Sequence, residues 1–187
     1  MKTLISLLLA LVFSSTAFSQ LGIKGGIGLG VNISPNRFSH GGAALGLTYN
    51  FKERLRAEVL VEALFRKDNF TYLVQNTEGN STMIESQESI SSLIPITLGI
   101  DYKFLTGKIQ PYAGLNAGIM TRGTRTDNQS YNSQYFLIQP KIGLNTVLTP
   151  NLLFDFTLKS QLMMLGNTHP QTITNTLVLS IGLNYAF

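Results

Sequence analysis

The sequence predicts an all-β fold, an eight-stranded antiparallel up-and-down transmembrane β-barrel that follows an N-terminal signal peptide. Three observations support this prediction: an export-type N-terminus, eight segments of alternating apolar and polar residues, and connections that alternate between short and long. Alternation with a period of two gives a strand two chemically different faces. The predicted domains are a signal peptide over residues 1–19 and one barrel over residues 20–187.

The N-terminus has the three parts of a secretory signal. Lys2 supplies the positive charge, Leu4 to Phe13 is apolar, and Ala17 and Ser19 occupy the small-residue positions of a cleavage after Ser19. The apolar run is too short for a membrane-spanning helix, which needs about 20 apolar residues. The chain has no cysteine, so neither a lipoprotein anchor nor a disulfide nor a thiolate metal site is expected.

Eight segments alternate between an apolar row and a row of glycine, small polar and charged residues. In the first, Ile27 and Leu29 alternate with Gly26, Gly28 and Gly30. Such segments indicate strands with one apolar face. The predicted strands cover residues 21–33, 43–51, 55–66, 90–104, 109–121, 135–148, 152–163 and 173–187.

The predicted connections alternate in length. Short links are expected over residues 52–54, 105–108 and 149–151. Longer polar links are expected over residues 34–42, 67–89, 122–134 and 166–172. All short turns therefore lie at one end of the barrel and all long loops at the other, as in bacterial outer-membrane barrels with short periplasmic turns.

The two rows distinguish a membrane barrel from a soluble one. The apolar row is nearly free of charge, and a Lys or Arg there would cost about 2–4 kcal/mol at the bilayer midplane. The polar row is small and carries both signs of charge, which can pair inside a narrow barrel. The predicted lumen charge network consists of Lys24, Arg56, Glu58, Glu62, Asp101, Lys103, Lys141, Asp155 and Lys159. A lumen filled by these side chains is expected not to conduct ions.

Three prolines lie inside predicted strands: Pro95, Pro111 and Pro140. Each removes one hydrogen-bond donor from a sheet. We therefore expect each proline near a strand end, a bulge or the lipid boundary.

Three predicted strands end in the same pattern, Gly-X-X-Tyr-X-Phe, over residues 46–51, 99–104 and 182–187. In a membrane barrel these outward Tyr and Phe rings would lie at headgroup level and form an aromatic girdle.

The cleavage region Ala17-Phe18-Ser19-Gln20, the Gly-alternating first strand, the run over residues 111–115 and the terminal Tyr185-Ala186-Phe187 resemble the Bacteroidota outer-membrane β-barrel family called PorT-like. More distantly, the chain is similar to OmpA- and OmpX-type eight-stranded barrels. The resemblance implies a bacterial outer-membrane location, passage with periplasmic chaperones and insertion by the barrel-assembly machinery. It also implies that this machinery reads the last strand, where the signal residues are Ile181, Leu183, Tyr185 and Phe187.

The leading functional interpretation is a non-enzymatic integral membrane protein whose external loops have structural, adhesion or assembly and secretion-accessory roles. The expected partners are outer-membrane lipid and the biogenesis machinery, and the expected state is a monomer. No catalytic residue, cofactor or metal is predicted. The formal net charge of +4 is too mild to indicate a nucleic-acid partner.

Two alternatives stay open. The first is an outer-membrane enzyme acting on lipid or peptide, in which His40 or His169 in an external loop would work with Ser39 or Asp127. The second is a soluble lipocalin-like carrier, which would turn the apolar row inward around a ligand.

Overall fold

In the computed structural model the chain forms a closed barrel of eight antiparallel strands. The structure describes residues 21–32, 39–75, 82–126, 129–164 and 175–187. The strands are β1 (Leu21–Asn32), β2 (Ser39–Lys52), β3 (Leu55–Gln75), β4 (Thr82–Lys103), β5 (Ile109–Thr126), β6 (Ser130–Thr149), β7 (Leu152–Met164) and β8 (Asn175–Ala186). The predicted fold class is confirmed. The predicted signal peptide lies outside the described residues.

The apolar and polar rows lie on opposite faces of the barrel wall, as a membrane barrel requires. Leu98 exposes 65% of its surface, whereas its neighbour Thr97 exposes 2%. The same contrast recurs along every strand, with the apolar row outward and the polar row inside. Such an exterior suits lipid, because a soluble barrel would place its apolar row inside. Among the described residues, no helix is long and apolar enough to cross a membrane.

Pairing of the first and last strands closes the barrel. The β1–β8 register runs from Gly22 opposite Ala186 to Asn32 opposite Thr176. Phe187 is also hydrogen-bonded to β1, because its amide donates to the Leu21 carbonyl at 3.0 Å. Closure leaves no sheet edge in the barrel wall, which a backbone in hydrocarbon requires.

The three prolines occupy different places in the sheet. Pro111 follows the expectation, since it lies just beyond the last β4–β5 pair, Lys103 opposite Tyr112. Pro95 and Pro140 instead lie in the middle of their strands. Each still pairs with β5, opposite Met120 and Leu115 respectively.

At each of the two central prolines, the pairing with one of the two neighbouring strands is interrupted. On the other side of Pro95, the β3–β4 register has no pair between Val61–Ile96 and Leu64–Leu93. Beside Pro140, the β6–β7 register is likewise interrupted between Ile138–Leu162 and Lys141–Lys159. A proline removes a donor toward one neighbour only, so the strand itself continues.

Two predicted loops are mostly strand. The prediction placed loops over residues 67–89 and 122–134, but β3–β4 pairing continues to Gln75 opposite Thr82, and β5–β6 pairing to Arg125 opposite Ser130. Beyond the bilayer both faces of a strand meet water, so the apolar and polar contrast used for the prediction disappears while pairing continues. The β-branched and aromatic residues between 70 and 74 favour such pairing.

The barrel is consequently tall on one side. Strand β4 has 22 residues, whereas β1 and β8 have 12 each. At about 3.3 Å per residue, the longest strand extends roughly 30 Å further than the shortest along the strand direction. We call the part of β3–β6 above the short strands the protruding sheet. The end that carries it is the loop end, and the opposite end is the turn end.

Candidate functional site: the lumen and the rims

All nine predicted lumen charges lie on inward rows, and none exposes more than 8% of its surface. Together they form the charged zone of the lumen. Five are cations and four are carboxylates. The polar rows of β1, β3, β4, β6 and β7 carry them inward, because period-two strands keep a row on one side of the sheet.

The centre of the charged zone joins Arg56 and Asp101, which are cross-strand partners on β3 and β4. The Arg56 Nε and Nη2 atoms both donate to Asp101 Oδ2, at 3.0 and 2.7 Å. Asp101 Oδ1 lies 2.7 Å from Lys141 Nζ. The Arg56 guanidinium also lies over the Tyr112 ring, 4.9 Å from its centroid. Several close partners offset the free-energy cost of removing such a charge from water.

A second group of partners surrounds Glu58 and Asp155. Lys24 Nζ lies 3.0 Å from Asp155 Oδ1 and 3.6 Å from Glu58 Oε2. Lys141 Nζ contacts Glu58 Oε1, to which Asn116 Nδ2 also donates at 2.8 Å. The Tyr112 hydroxyl donates to Asp155 Oδ2 at 3.0 Å. These contacts hold five strands, β1, β3, β5, β6 and β7, together across the lumen.

Three charges lie apart from this centre. Glu62 and Lys159 pair at 2.5 Å nearer the loop end, with Gln139 Nε2 donating to Glu62 Oε2 at 3.3 Å. At the turn end, Lys103 donates to the Asn50 amide oxygen at 3.1 Å. No carboxylate of the described residues lies within 4.0 Å of the Lys103 amine. Lys103 is therefore the one cation of the charged zone with no carboxylate partner in the described part of the chain.

Inward glycines make room for these long side chains. A Cβ on Gly143 would overlap the Tyr112 ring. A Cβ on Gly114 would collide with Asp101 Oδ1 and approach Lys141 Cε to 2.8 Å. The glycine-rich polar rows are therefore a packing requirement of a narrow, filled lumen.

A second zone of the lumen is apolar, and the sequence interpretation missed it. We call it the apolar zone; its members are Leu64, Leu93, Met120, Leu137, Met163 and Val178. Each of the six strands β3–β8 contributes one member, and each member exposes 5% or less. On β3, β4, β6 and β7, which also carry lumen charges, the apolar member lies nearer the loop end than the charges. Large apolar residues inside the polar rows were the signal that could have revealed it.

The structure also corrects the prediction for His40. His40 was expected in an external loop, but β2 already begins at Ser39, and His40 is a buried inward residue opposite Gly30. His169 and Asp127 lie outside the described residues, and the Ser39 side chain does too. Nearby on β3, Arg66 forms an ion pair with Asp68. Among the described residues, no group of three or more His, Cys, Asp or Glu side chains could hold a metal ion.

The turn end carries three aromatic pairs on the outward face. The rings of Tyr49 and Phe51 meet edge to face at 4.9 Å. The corresponding pairs that end β4 and β8 do so at 5.6 and 5.4 Å. Of the predicted assembly signal, Ile181, Leu183 and Tyr185 lie on the outward row of β8, and Phe187 follows the strand directly with its side chain exposed. Their role in assembly stays a prediction.

An apolar exterior, a closed wall, a charged interior and an aromatic rim together define a transmembrane β-barrel. The chain belongs to the outer membrane protein beta-barrel domain family, whose model matches residues 4–187. The protein is therefore a bacterial outer-membrane protein. Short turns of such barrels face the periplasm, and we expect the same orientation for its turn end. A search of the curated proteins found no match.

Solved structures of outer-membrane barrels share the fold. Neisserial surface protein A is 14% identical, with a TM-score of 0.67 over 89% of this chain and 97% of that one. Ail, the attachment invasion locus protein of Yersinia pestis, is 13% identical, with a TM-score of 0.61 over 90% and 98%. OprG from Pseudomonas aeruginosa is 16% identical, with a TM-score of 0.54 over 91% and 97%.

Proposed function

We propose that this protein is a non-enzymatic, non-conducting outer-membrane barrel that anchors the protruding sheet outside the cell, where an extended segment of another protein pairs with its edge. The observation that carries the proposal is that β3 is paired with β4 over a longer stretch than it is paired with β2. The β2–β3 register ends at Gly41 opposite Phe65, whereas β3 stays paired with β4 as far as Gln75.

Two strand edges of the protruding sheet have no partner within the described residues. Residues 67–75 of β3 pair only with β4, and residues 82–88 of β4 pair only with β3. The backbone groups along such an edge are a template for another strand. Addition of an extended peptide to an exposed edge is a recurrent mode of protein recognition. The shared fold of Ail, which is by name an attachment invasion locus protein, supports an attachment role.

The lumen supports the non-conducting part of the proposal. Eight strands leave room only for side chains. Here the charged zone fills the turn end, and the apolar zone fills the lumen above it. We expect no stable conductance in planar bilayers containing the purified protein, and a large, long-lived open channel would contradict a filled lumen.

Hydrogen exchange tests the edge directly. The probe is an array of extended, Thr- and Val-rich heptapeptides added to the refolded barrel in detergent. We expect binding peptides to protect alternate amides of residues 67–75, because only every second amide of an edge strand faces outward. A variant in which a two-residue turn replaces residues 70–87 should lose the binding.

The control variant shortens the β5–β6 hairpin instead, by replacing residues 124–131 with a two-residue turn. It should keep the protection of β3. Absence of protection by any peptide, or equal loss in both variants, would refute the edge as the attachment surface.

Biogenesis and lineage form the remaining part of the proposal. We propose a PorT-like member from Bacteroidota, exported by a signal over residues 1–19, accompanied by periplasmic chaperones, and inserted as a monomer by the barrel-assembly machinery. The cleavage region, the run over residues 111–115 and the aromatic C-terminus support it. Removing Phe187 should slow insertion without preventing export, which pulse-labelled membrane fractions would reveal.

A further inference from the structure

The three periplasmic turns differ in charge. The β2–β3 turn brings Lys52, Glu53 and Arg54 to the surface, and the β4–β5 turn brings Lys108; all four side chains are exposed. The β6–β7 turn, residues 149–151, carries no charge. The turn end is therefore basic on one side of the barrel only.

The two basic turns are neighbours. The Lys103 amide donates to the Arg54 carbonyl at 2.8 Å, and Leu55 pairs with Tyr102 immediately above. Lys103 itself contributes a further amine at the periplasmic mouth of the lumen. Among the described residues, no carboxylate lies within 4.0 Å of Lys52, Arg54 or Lys108. Four cations and one carboxylate, that of Glu53, thus lie in or beside these two turns.

The outward aromatic rings fix the depth of these cations in the membrane. Tyr49 and Phe51 precede the first basic turn, and Tyr102 and Phe104 precede the second. Aromatic residues of a barrel girdle lie at headgroup level. The basic turns are one to a few residues further along, so they face the phosphates of the periplasmic leaflet.

From this arrangement we infer that Lys52, Arg54 and Lys108 form a site for the headgroups of anionic phospholipids in the periplasmic leaflet. We call it the basic rim. The occupant follows from charge complementarity and depth: basic residues beside a membrane surface attract anionic lipid, with about a fivefold effect on partitioning for each residue. The aromatic pair at the end of β8 lies at the same level without such cations. It marks the side of the barrel where we expect no lipid preference. The inference needs only the membrane orientation and not the strand-pairing proposal.

Native mass spectrometry of the full barrel, released from nanodiscs of equimolar phosphatidylglycerol and phosphatidylethanolamine, tests the basic rim. We expect the wild type to retain phosphatidylglycerol in preference to phosphatidylethanolamine. The variant Lys52→Gln/Arg54→Gln/Lys108→Gln should lower that preference by at least about fivefold, the effect expected for one basic residue. The three substitutions change only exposed side chains and keep the Arg54 carbonyl that accepts from the Lys103 amide. The variant should therefore fold, and its gel shift on heating verifies this.

The matched control removes three basic residues at the loop end, Lys67→Gln/Arg122→Gln/Arg125→Gln, and should keep the preference. Equal preference in all three proteins, or none in the wild type, would overturn the inference. Displacement of the lipid by millimolar inorganic phosphate would also overturn it, because it would indicate a pocket for free anions. Loss of binding to cell-wall fragments with unchanged lipid retention would reassign the basic rim to peptidoglycan.

Discussion

The charged zone and the apolar zone fill the same lumen by opposite chemistry. In the charged zone, Asp101 and Glu58 each contact two or more cations at full burial. In the apolar zone, Leu64 and Leu137 are as deeply buried but contribute only packing. Losing one member of the charged zone leaves a buried opposite charge with fewer partners, whereas losing one member of the apolar zone leaves a cavity. Substitutions of equally buried side chains in the two zones should therefore destabilise the barrel for different reasons.

The largest effect is expected for Arg56→Met. This change removes both Arg56 donors from the fully buried Asp101 Oδ2 and leaves Lys141, among the described residues, as the one remaining cation of that carboxylate. Breaking a buried pair by removing one partner costs about 3–5 kcal/mol. Urea unfolding in lipid vesicles measures the loss. Lys103→Met is the matched control, since Lys103 has no carboxylate partner in the described part of the chain, and it should cost far less. Equal losses in the two variants would show that pairing does not stabilise the charged zone.

A comparable or smaller loss is expected for Leu137→Ala. It opens a cavity in the apolar zone, and Leu→Ala changes in cores cost about 2–5 kcal/mol. Leu98→Ala deletes the same atoms on the outward row, where lipid fills the space, and should cost little. The same unfolding assay compares the two. If the lipid-facing variant lost more stability than the lumen variant, the inward assignment of Leu137 would be wrong.

The smallest loss in this series is expected for Gly143→Ala. The new methyl group would overlap the Tyr112 ring, and overpacking typically costs about 1–3 kcal/mol. Gly25→Ala serves as its control, because a Cβ at Gly25 meets nothing within 4 Å. An unaffected Gly143 variant would mean that Tyr112 has space to move and that the charged zone is looser than its contacts indicate.

The contrast between the two rows explains which features the sequence could reveal. Strand number and the inward position of all nine charges follow from alternation, because lipid enforces an apolar exterior. Closure follows because hydrocarbon tolerates no open sheet edge. Pairing partners such as Glu62 and Lys159 are 97 residues apart in the sequence. The register across several strands brings them together, and alternation alone does not specify that register. The protruding sheet was missed for a related reason: above the bilayer, water on both faces removes the contrast. His40 was misplaced because the start of β2 was predicted four residues too late.

The central claim is that the apolar row faces lipid and the polar row is sealed inside. The chain has no tryptophan, so a single Trp reports its own surroundings without background. Leu98→Trp places the probe on the outward row, and Tyr112→Trp replaces a buried lumen aromatic. In vesicles containing brominated phospholipid, we predict strong quenching of the Leu98→Trp variant and little quenching of the Tyr112→Trp variant. Quenching of the lumen probe alone, or a folded Leu98→Trp protein that is soluble without lipid or detergent, would contradict the account.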